Sequence, residues 1–246
     1  INKSKEEIVV KQAELERLKT AEQNNYPNKL FICEDAKGGS IWPHLFEEFG
    51  IKGVQIKSSK GCSNDQIEIV FSYKIQERPK YSPRIFRQLD RDAYLPEQIS
   101  FIEAAMTRKF ANFQHYKISF LPVNEIENFA ILSNPKFSNE LIRQNEQRYE
   151  SVKDACFDTA NSNLEKCRRT YLNAQSPDKD KNLFNNRAST MRDEAKKDSI
   201  RFLPGKEICK FIPRFNPQQT LKSLVRKDFP EELVQYLQVV KDFFDN

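Results

Sequence analysis

The stretch "SPRIFRQLDRDAYLPEQ", Ser82–Gln98, decides how this chain is read. The run from Arg84 to Leu89 is the pattern of a buried strand, and two carboxylates, Asp90 and Asp92, stand just past its end. In open α/β sheets, ligands bind beyond the carboxyl ends of the strands. Acids at i and i+2 point the same way if the backbone stays extended. Such oxygen donors suit a hard cation, Mg²⁺ or Mn²⁺. A second strand-like run, "NKLFICED", ends in Glu34 and Asp35, so two strands of one sheet would be tipped with acids.

Outward from these strands the chain alternates. Lys29–Cys33 reads as a strand, 40–49 as a helix with Ser40 as cap, Pro43 in its first turn and Gly50 as its stop, and 52–57 as a strand. Residues 67–75 alternate as strictly as a strand, with apolar Ile67, Ile69, Phe71, Tyr73 and Ile75. The preceding "SNDQ" is a helix start, and the β-α-β rhythm favours a helix here. A helix over 96–110, a strand over 116–123 and a short helix in "NEIENFAIL" follow. The expected fold is therefore α/β, a mostly parallel sheet flanked by helices.

The flanks differ in character. Residues 3–23 read as a polar helix with sparse apolar positions, so 1–25 is expected to connect to an upstream domain. Residues 26–135 form the core, 136–202 a polar helical insertion and 203–246 a C-terminal part completing the domain. The last helix has Asp228 as candidate cap, Pro230 in its first turn, and an apolar stripe of Leu233, Leu237, Val240 and Phe244.

Composition narrows the function classes. The chain has 246 residues, 30% of them charged, and a net charge of +5, which permits a nucleic-acid partner. No run of about 18 apolar residues is present, so no membrane span is expected. Five cysteines without a C-x-x-C spacing point to a reduced, cytoplasmic protein and away from a zinc site. Two histidines exclude a histidine-rich metal centre, and no G-x-S-x-G elbow is present.

Acids follow the predicted strands in order: Glu34 and Asp35, then Asp90 and Asp92, then Glu125 and Glu127. Gly38 and Gly39 lie just past the first pair, where a phosphate or metal can approach the backbone. Lys206 in "PGKE" is either a cation for a charged transition state or a solvated lysine. Arg87 and Arg91 flank the acids, to grip phosphate or to pair with neighbouring carboxylates. Arg108 and Lys109 sit among Phe110, Phe113, Tyr116 and Phe120. Bases stack on such rings beside basic grooves, but core packing is the favoured reading of these aromatics.

In this order, "LFICED" and "RIFRQLDRDAY" resemble the glutamate and D-x-D motifs of Toprim domains. "FLPVNEIENFAIL" and "LPGKEICKFI" resemble later segments of the Toprim domains in overcoming-lysogenization-defect (OLD) nucleases and related ATPase-linked defence proteins. The likeness covers roughly 28–132 and 203–212. It implies a Toprim-like fold and an endonuclease acting on DNA or RNA with one or two Mg²⁺ or Mn²⁺ ions. Glu34, Asp90, Asp92 and Glu127 would be its metal-binding acids, and Lys206 its late lysine. Arg87, Arg91, Arg108 and Lys109 are the candidate nucleic-acid contacts. The likeness further implies an upstream ABC-type ATPase in an oligomeric, antiviral assembly. The family carries Gly directly after the glutamate and Asp four residues after it. Here those positions are Asp35 and Gly38. That departure opens the alternative of a catalytically weak or inactive module that binds a partner or nucleic acid.

Overall fold

The computed structural model describes residues 25–34, 41–61, 64–92, 94, 96–134, 197–209 and 214–246. The expected connecting helix over 3–23 and nearly all of the helical insertion lie outside these residues. So do Asp35, Gly38, Gly39 and the proposed cap Ser40.

The sheet has four strands: β1 (Lys29–Cys33), β2 (Gln55–Ser58), β3 (Arg84–Leu89) and β4 (His115–Phe120). Their order is β2-β1-β3-β4, and every pairing is parallel. Parallel neighbours need crossover connections, and helices supply them. These are α1 (Trp42–Phe49), α2 (Gln66–Glu77) and α3 (Pro96–Lys109), with α4 (Glu127–Leu132) after β4. Short helices α5 (Ser199–Phe202), α6 (Gly205–Cys209) and α7 (Pro217–Ser223) lead to the long α8 (Glu231–Asp245).

The pleat sorts side chains to two cores. Leu30, Ile32 and Ile85 face one side, where Phe71 of α2 and Ile102 and Met106 of α3 cover them. Phe31, Cys33 and Phe86 face the other side, against Trp42, Leu45 and Phe46 of α1 and the Leu233, Leu237, Val240 and Phe244 stripe of α8. The result is a helix–sheet–helix sandwich in which the central strands β1 and β3 are buried on both faces, which is why those two read as mainly apolar runs. Gly50 ends α1 in the left-handed region at φ 75, donating to the carbonyls of Glu47 and Phe46.

Boundaries differ at three places. β2 starts at Gln55 rather than 52. β4 stops at Phe120, although the Leu121 amide still donates to the Leu89 carbonyl at 2.9 Å before the chain turns away. Asp228 belongs to a 3-10 turn, and Pro230, in extended backbone, precedes α8. Residues 66–77 are a helix despite their strict alternation. The alternation leaves that helix apolar on two sides: Phe71 is buried, while Val70 and Tyr73 are 48% and 62% exposed.

The C-terminus of α8 carries no basic residue in its last turn. Strand residues serve instead: Arg84 donates to the Phe243 carbonyl at 3.0 Å, and Lys29 pairs with Asp245 at 3.4 Å.

Candidate functional site

Glu34 and Asp90 emerge from adjacent strands β1 and β3 at the carboxyl edge of the sheet. Gln88 ties the two together. Its amide nitrogen donates to Asp90 Oδ1 at 3.0 Å, and its amide oxygen accepts from the Glu34 main-chain N–H at 3.3 Å. Glu34 Oε2 in turn accepts from the Asp90 main-chain N–H at 3.0 Å. The glutamate thus braces the start of the D-x-D segment.

Asp92 does not continue an extended backbone. It sits at φ 47, in the left-handed region that aspartate tolerates better than most residues. Asn124 holds it there. The Asp92 N–H donates to the Asn124 carbonyl at 3.0 Å, and Asn124 Nδ2 donates to the Asp92 carbonyl at 2.7 Å. The two aspartates therefore come together through a turn, and the period-two argument does not describe them. Their charges still meet. The Asp90 carboxyl is pushed well above the usual range by burial, then by Glu34, Asp92 and Glu125, against the lowering pull of Lys206.

Lys206 stands on the opposite wall. Its main-chain N–H donates to Glu125 Oε2 at 3.0 Å. Its ammonium lies 3.5 Å from Glu125 Oε1 and 3.8 Å from Glu127 Oε1. Two asparagines set this wall. Asn128 Nδ2 donates to the Ile200 and Leu203 carbonyls, the latter at 2.9 Å, and its Oδ1 accepts from the Glu125 N–H at 2.8 Å. Asn124 Nδ2 also reaches the Phe202 carbonyl at 2.9 Å, and the Asn124 N–H donates to the Arg201 carbonyl at 2.8 Å. Gly205 fits against this junction because it has no side chain: a Cβ there would meet Asn128 N and Oδ1 at 2.7 Å. Cys209, beside the wall, is inert as a thiol, since burial, then Glu127 and Glu125, push it up to about 12.

Sequence reasoning thus brings Glu34, Asp90, Asp92, Glu127 and Lys206 to one edge, but it underrates Glu125, the acid acting on Asp90 and gripping Lys206. It also misses Gln88, Asn124 and Asn128. No spacing marks those three, because each also bonds a backbone group far away in sequence. A further residue comes from α8. Tyr236 is buried, its hydroxyl has no hydrogen-bond partner among the described residues, and burial and then the Asp90 charge push its phenol well above the ordinary value.

The basic candidates fare differently. Arg87 is fully buried and pairs with Glu68 of α2, Nη1 lying 3.1 Å from Oε1. Its guanidinium also donates to the Gly61 and Asn64 carbonyls at 3.1 and 3.2 Å. It is a structural clamp turned away from solvent, the pairing alternative to a phosphate contact. Arg91 donates to the Pro122 carbonyl at 3.3 Å and covers the Phe202 ring. Lys109 pairs with Asp65, and Arg108 is exposed. Phe110, Phe113 and Phe120 belong to the core, as the packing reading expected.

These carboxylates are the right donors for Mg²⁺ or Mn²⁺. Among the described residues, no group of three or more His, Cys, Asp or Glu is placed to hold a metal ion. Glu34 and Glu125 each accept a main-chain N–H, and the Lys206 ammonium lies beside Glu125. Among the described residues, no helix is long and apolar enough to cross a membrane. No family model, curated protein or solved structure matches this chain.

Proposed function

We propose that this chain is a Toprim-like binding module that engages nucleic acid while being catalytically weak or inactive as a nuclease. The observation that carries the reading is the occupation of the strand-end acids by the chain's own donors. Glu34 accepts from the Asp90 amide, and Glu125 accepts from the Lys206 amide beside its ammonium. Charge-assisted bonds of this kind are the stronger ones, and an incoming cation would have to compete with them for the carboxylate charge. Lys206 then acts as a tethered internal cation that balances the crevice. A net charge of +5 suits a polyanionic partner once these acids are neutralised internally.

Calorimetry with Mn²⁺ and a gel-shift with labelled DNA and RNA test this together. The expected result is no Mn²⁺ uptake at millimolar concentration, and nucleic-acid binding that survives both chelator and the Asp90→Asn/Asp92→Asn change. Cleavage that requires Mn²⁺ and disappears in that double variant would overturn it.

The second reading, a Mg²⁺- or Mn²⁺-dependent endonuclease, draws on one specific observation. Glu34, Asp92 and Glu125 crowd negative charge around Asp90. Either reading accommodates an upstream ATPase region, an oligomeric assembly and a cytoplasmic, antiviral setting, and these remain part of the proposal.

A further inference from the structure

Among the described residues, the sheet ends at β2, an edge strand with one open side. The Ser59 N–H donates to the Cys33 carbonyl at 2.8 Å, so the odd-numbered residues of this stretch turn their main chain toward β1. Ile56 and Ser58 therefore turn their N–H and C=O groups away from the sheet. Among the described residues, nothing bonds those groups.

A groove of about 550 Å³ opens beside this edge on the α1 face. Phe46, Ile51, Val54 and Ile56 line it, and Glu47 and Lys52 supply one charge of each sign. Its wall is thus apolar and balanced in charge. Ile56 is in register with Phe31, which packs against α1. Alternate side chains of a strand laid along β2 would enter the groove on that face.

The other face is positive. Lys57 is in register with Ile32 and reaches α2, its ammonium 6.0 Å from the Phe71 centroid. The stretch "KGVQIKSSK", 52–60, holds three lysines and no acid. Among the described residues, Lys52, Lys57 and Lys60 form no ion pair. Two copies meeting along this edge would set these cations against each other, which is how edge lysines discourage self-pairing. An open edge beside an apolar groove instead suits an extended peptide, with main-chain bonds for affinity and side-chain pockets for specificity.

We propose that β2 receives an extended segment of an acidic partner protein as a fifth strand, its apolar residues entering the groove and its alternate carboxylates facing Lys57. This surface does not use the carboxylate crevice and stands independently of the nucleic-acid reading.

The test is fluorescence anisotropy of the full chain with a labelled peptide of about eight residues, valine alternating with glutamate, a usual strand length. The controls are a peptide of the same composition arranged in blocks and one of valine alternating with lysine. The alternating acidic peptide is expected to bind roughly tenfold more tightly than either control. Amide hydrogen exchange is expected to be fast at Ile56 and Ser58 in the free chain and to slow when this peptide binds. Ser58→Pro removes an outward N–H where an edge strand tolerates proline, and is expected to weaken binding about tenfold. Lys57→Glu is expected to shift the preference toward the valine–lysine peptide by roughly fivefold or more. It leaves the main chain intact, which keeps the test open should Ser58→Pro fail to fold. Equal binding of the block and alternating peptides refutes strand addition, and an unchanged preference in Lys57→Glu refutes the acidic partner. Absence of binding by the wild-type chain, or Ile56 and Ser58 amides already protected without peptide, overturns the proposal. So does a dimer in sedimentation that Ser58→Pro dissolves, which would give the edge to a second copy of the chain.

Discussion

Arg87→Met is the sharpest perturbation of this fold. Both Arg87 and Glu68 have fully buried side chains. The guanidinium gives Glu68 two bonds at 3.1 and 3.3 Å and closes the Gly61 and Asn64 carbonyls. That loop also lies against the end of β1, where Ser59 donates to the Cys33 carbonyl and Gly61 to the Glu34 carbonyl. Methionine fills much of the volume but leaves a buried carboxylate without its cation. Such a break costs about 3–5 kcal/mol. The two carbonyls raise the cost toward the upper end, unless the loop opens to water. Against a total stability of about 5–15 kcal/mol this is a large share. At about 2–4 °C per kcal/mol, the melting temperature should fall by roughly 6–20 °C. Glu68 sets the pH dependence. Burial outweighs Arg87 and raises its carboxyl. A raised folded pKa favours the fold below the unfolded value, and that contribution is lost as pH rises through the folded one. The deficit of Arg87→Met should therefore shrink as pH falls and Glu68 takes up a proton. Urea denaturation of wild type, Arg87→Met, Glu68→Leu and the double variant, at neutral and acid pH, reads all of this. The double variant should recover most of the loss and fall short of wild type only by the cost of the Gly61 and Asn64 carbonyls, since an apolar pair replaces a buried ion pair at little cost. A single-variant loss below about 1 kcal/mol, or a double variant no better than the single, would refute the clamp.

Gly205→Ala should destabilise by about 1–3 kcal/mol, because the new methyl meets Asn128 at 2.7 Å and Glu127 Cβ at 2.9 Å. Hydrogen exchange should show the loss centred on α4, and uniform protection would contradict it. Asp90→Asn should stabilise at neutral pH by on the order of 1 kcal/mol, since it keeps an acceptor for Gln88 and removes a charge crowded by three acids. The Asp90 carboxyl is raised, so its stabilising contribution is present at acid pH and lost above the folded pKa. The gain should vanish on acidification, and a pH-independent gain in thermal melts would count against it. Tyr236→Phe removes a buried hydroxyl without a partner and should be neutral or stabilising by up to about 1 kcal/mol. A loss above that in chemical denaturation would mean the hydroxyl has a bound partner such as an ordered water.

The sheet was legible because parallel strands buried on both faces are rich in apolar residues, as "LFIC" in β1 and "IF" and Leu89 in β3 show. The short edge strand was less so. Gln55–Ser58 buries none of its residues fully, and its pattern carries little signal. The alternation in 66–77 mimicked a strand because that helix has apolar residues facing both the core and solvent. The "SNDQ" start and the crossover requirement separate the two readings.

The site was legible to the level of which acids gather, and no further. Strand ends are fixed by the sheet, so Glu34 and Asp90 had to be neighbours. What they do there depends on main-chain amides and on distant residues, and residue spacing carries neither. Asp92 turns because Asn124 holds its backbone at both ends, and Lys206 arrives because Asn128 and Gly205 let α6 approach α4. Those contacts separate a cluster of acids from a cluster of ligands. On the proposed reading the acids are balanced internally, a lysine and two amides already facing Glu34 and Glu125. Releasing a crevice of this kind requires an external cation to outcompete a tethered one at effectively fixed proximity. Lys206→Met is the change that separates the two readings. If the crevice is balanced internally, the variant should gain Mn²⁺ affinity in calorimetry relative to wild type, because the competing ammonium is gone. If Lys206 serves a metal-loaded centre, Mn²⁺ uptake should already be measurable in the wild type, and the variant should lose cleavage without gaining affinity.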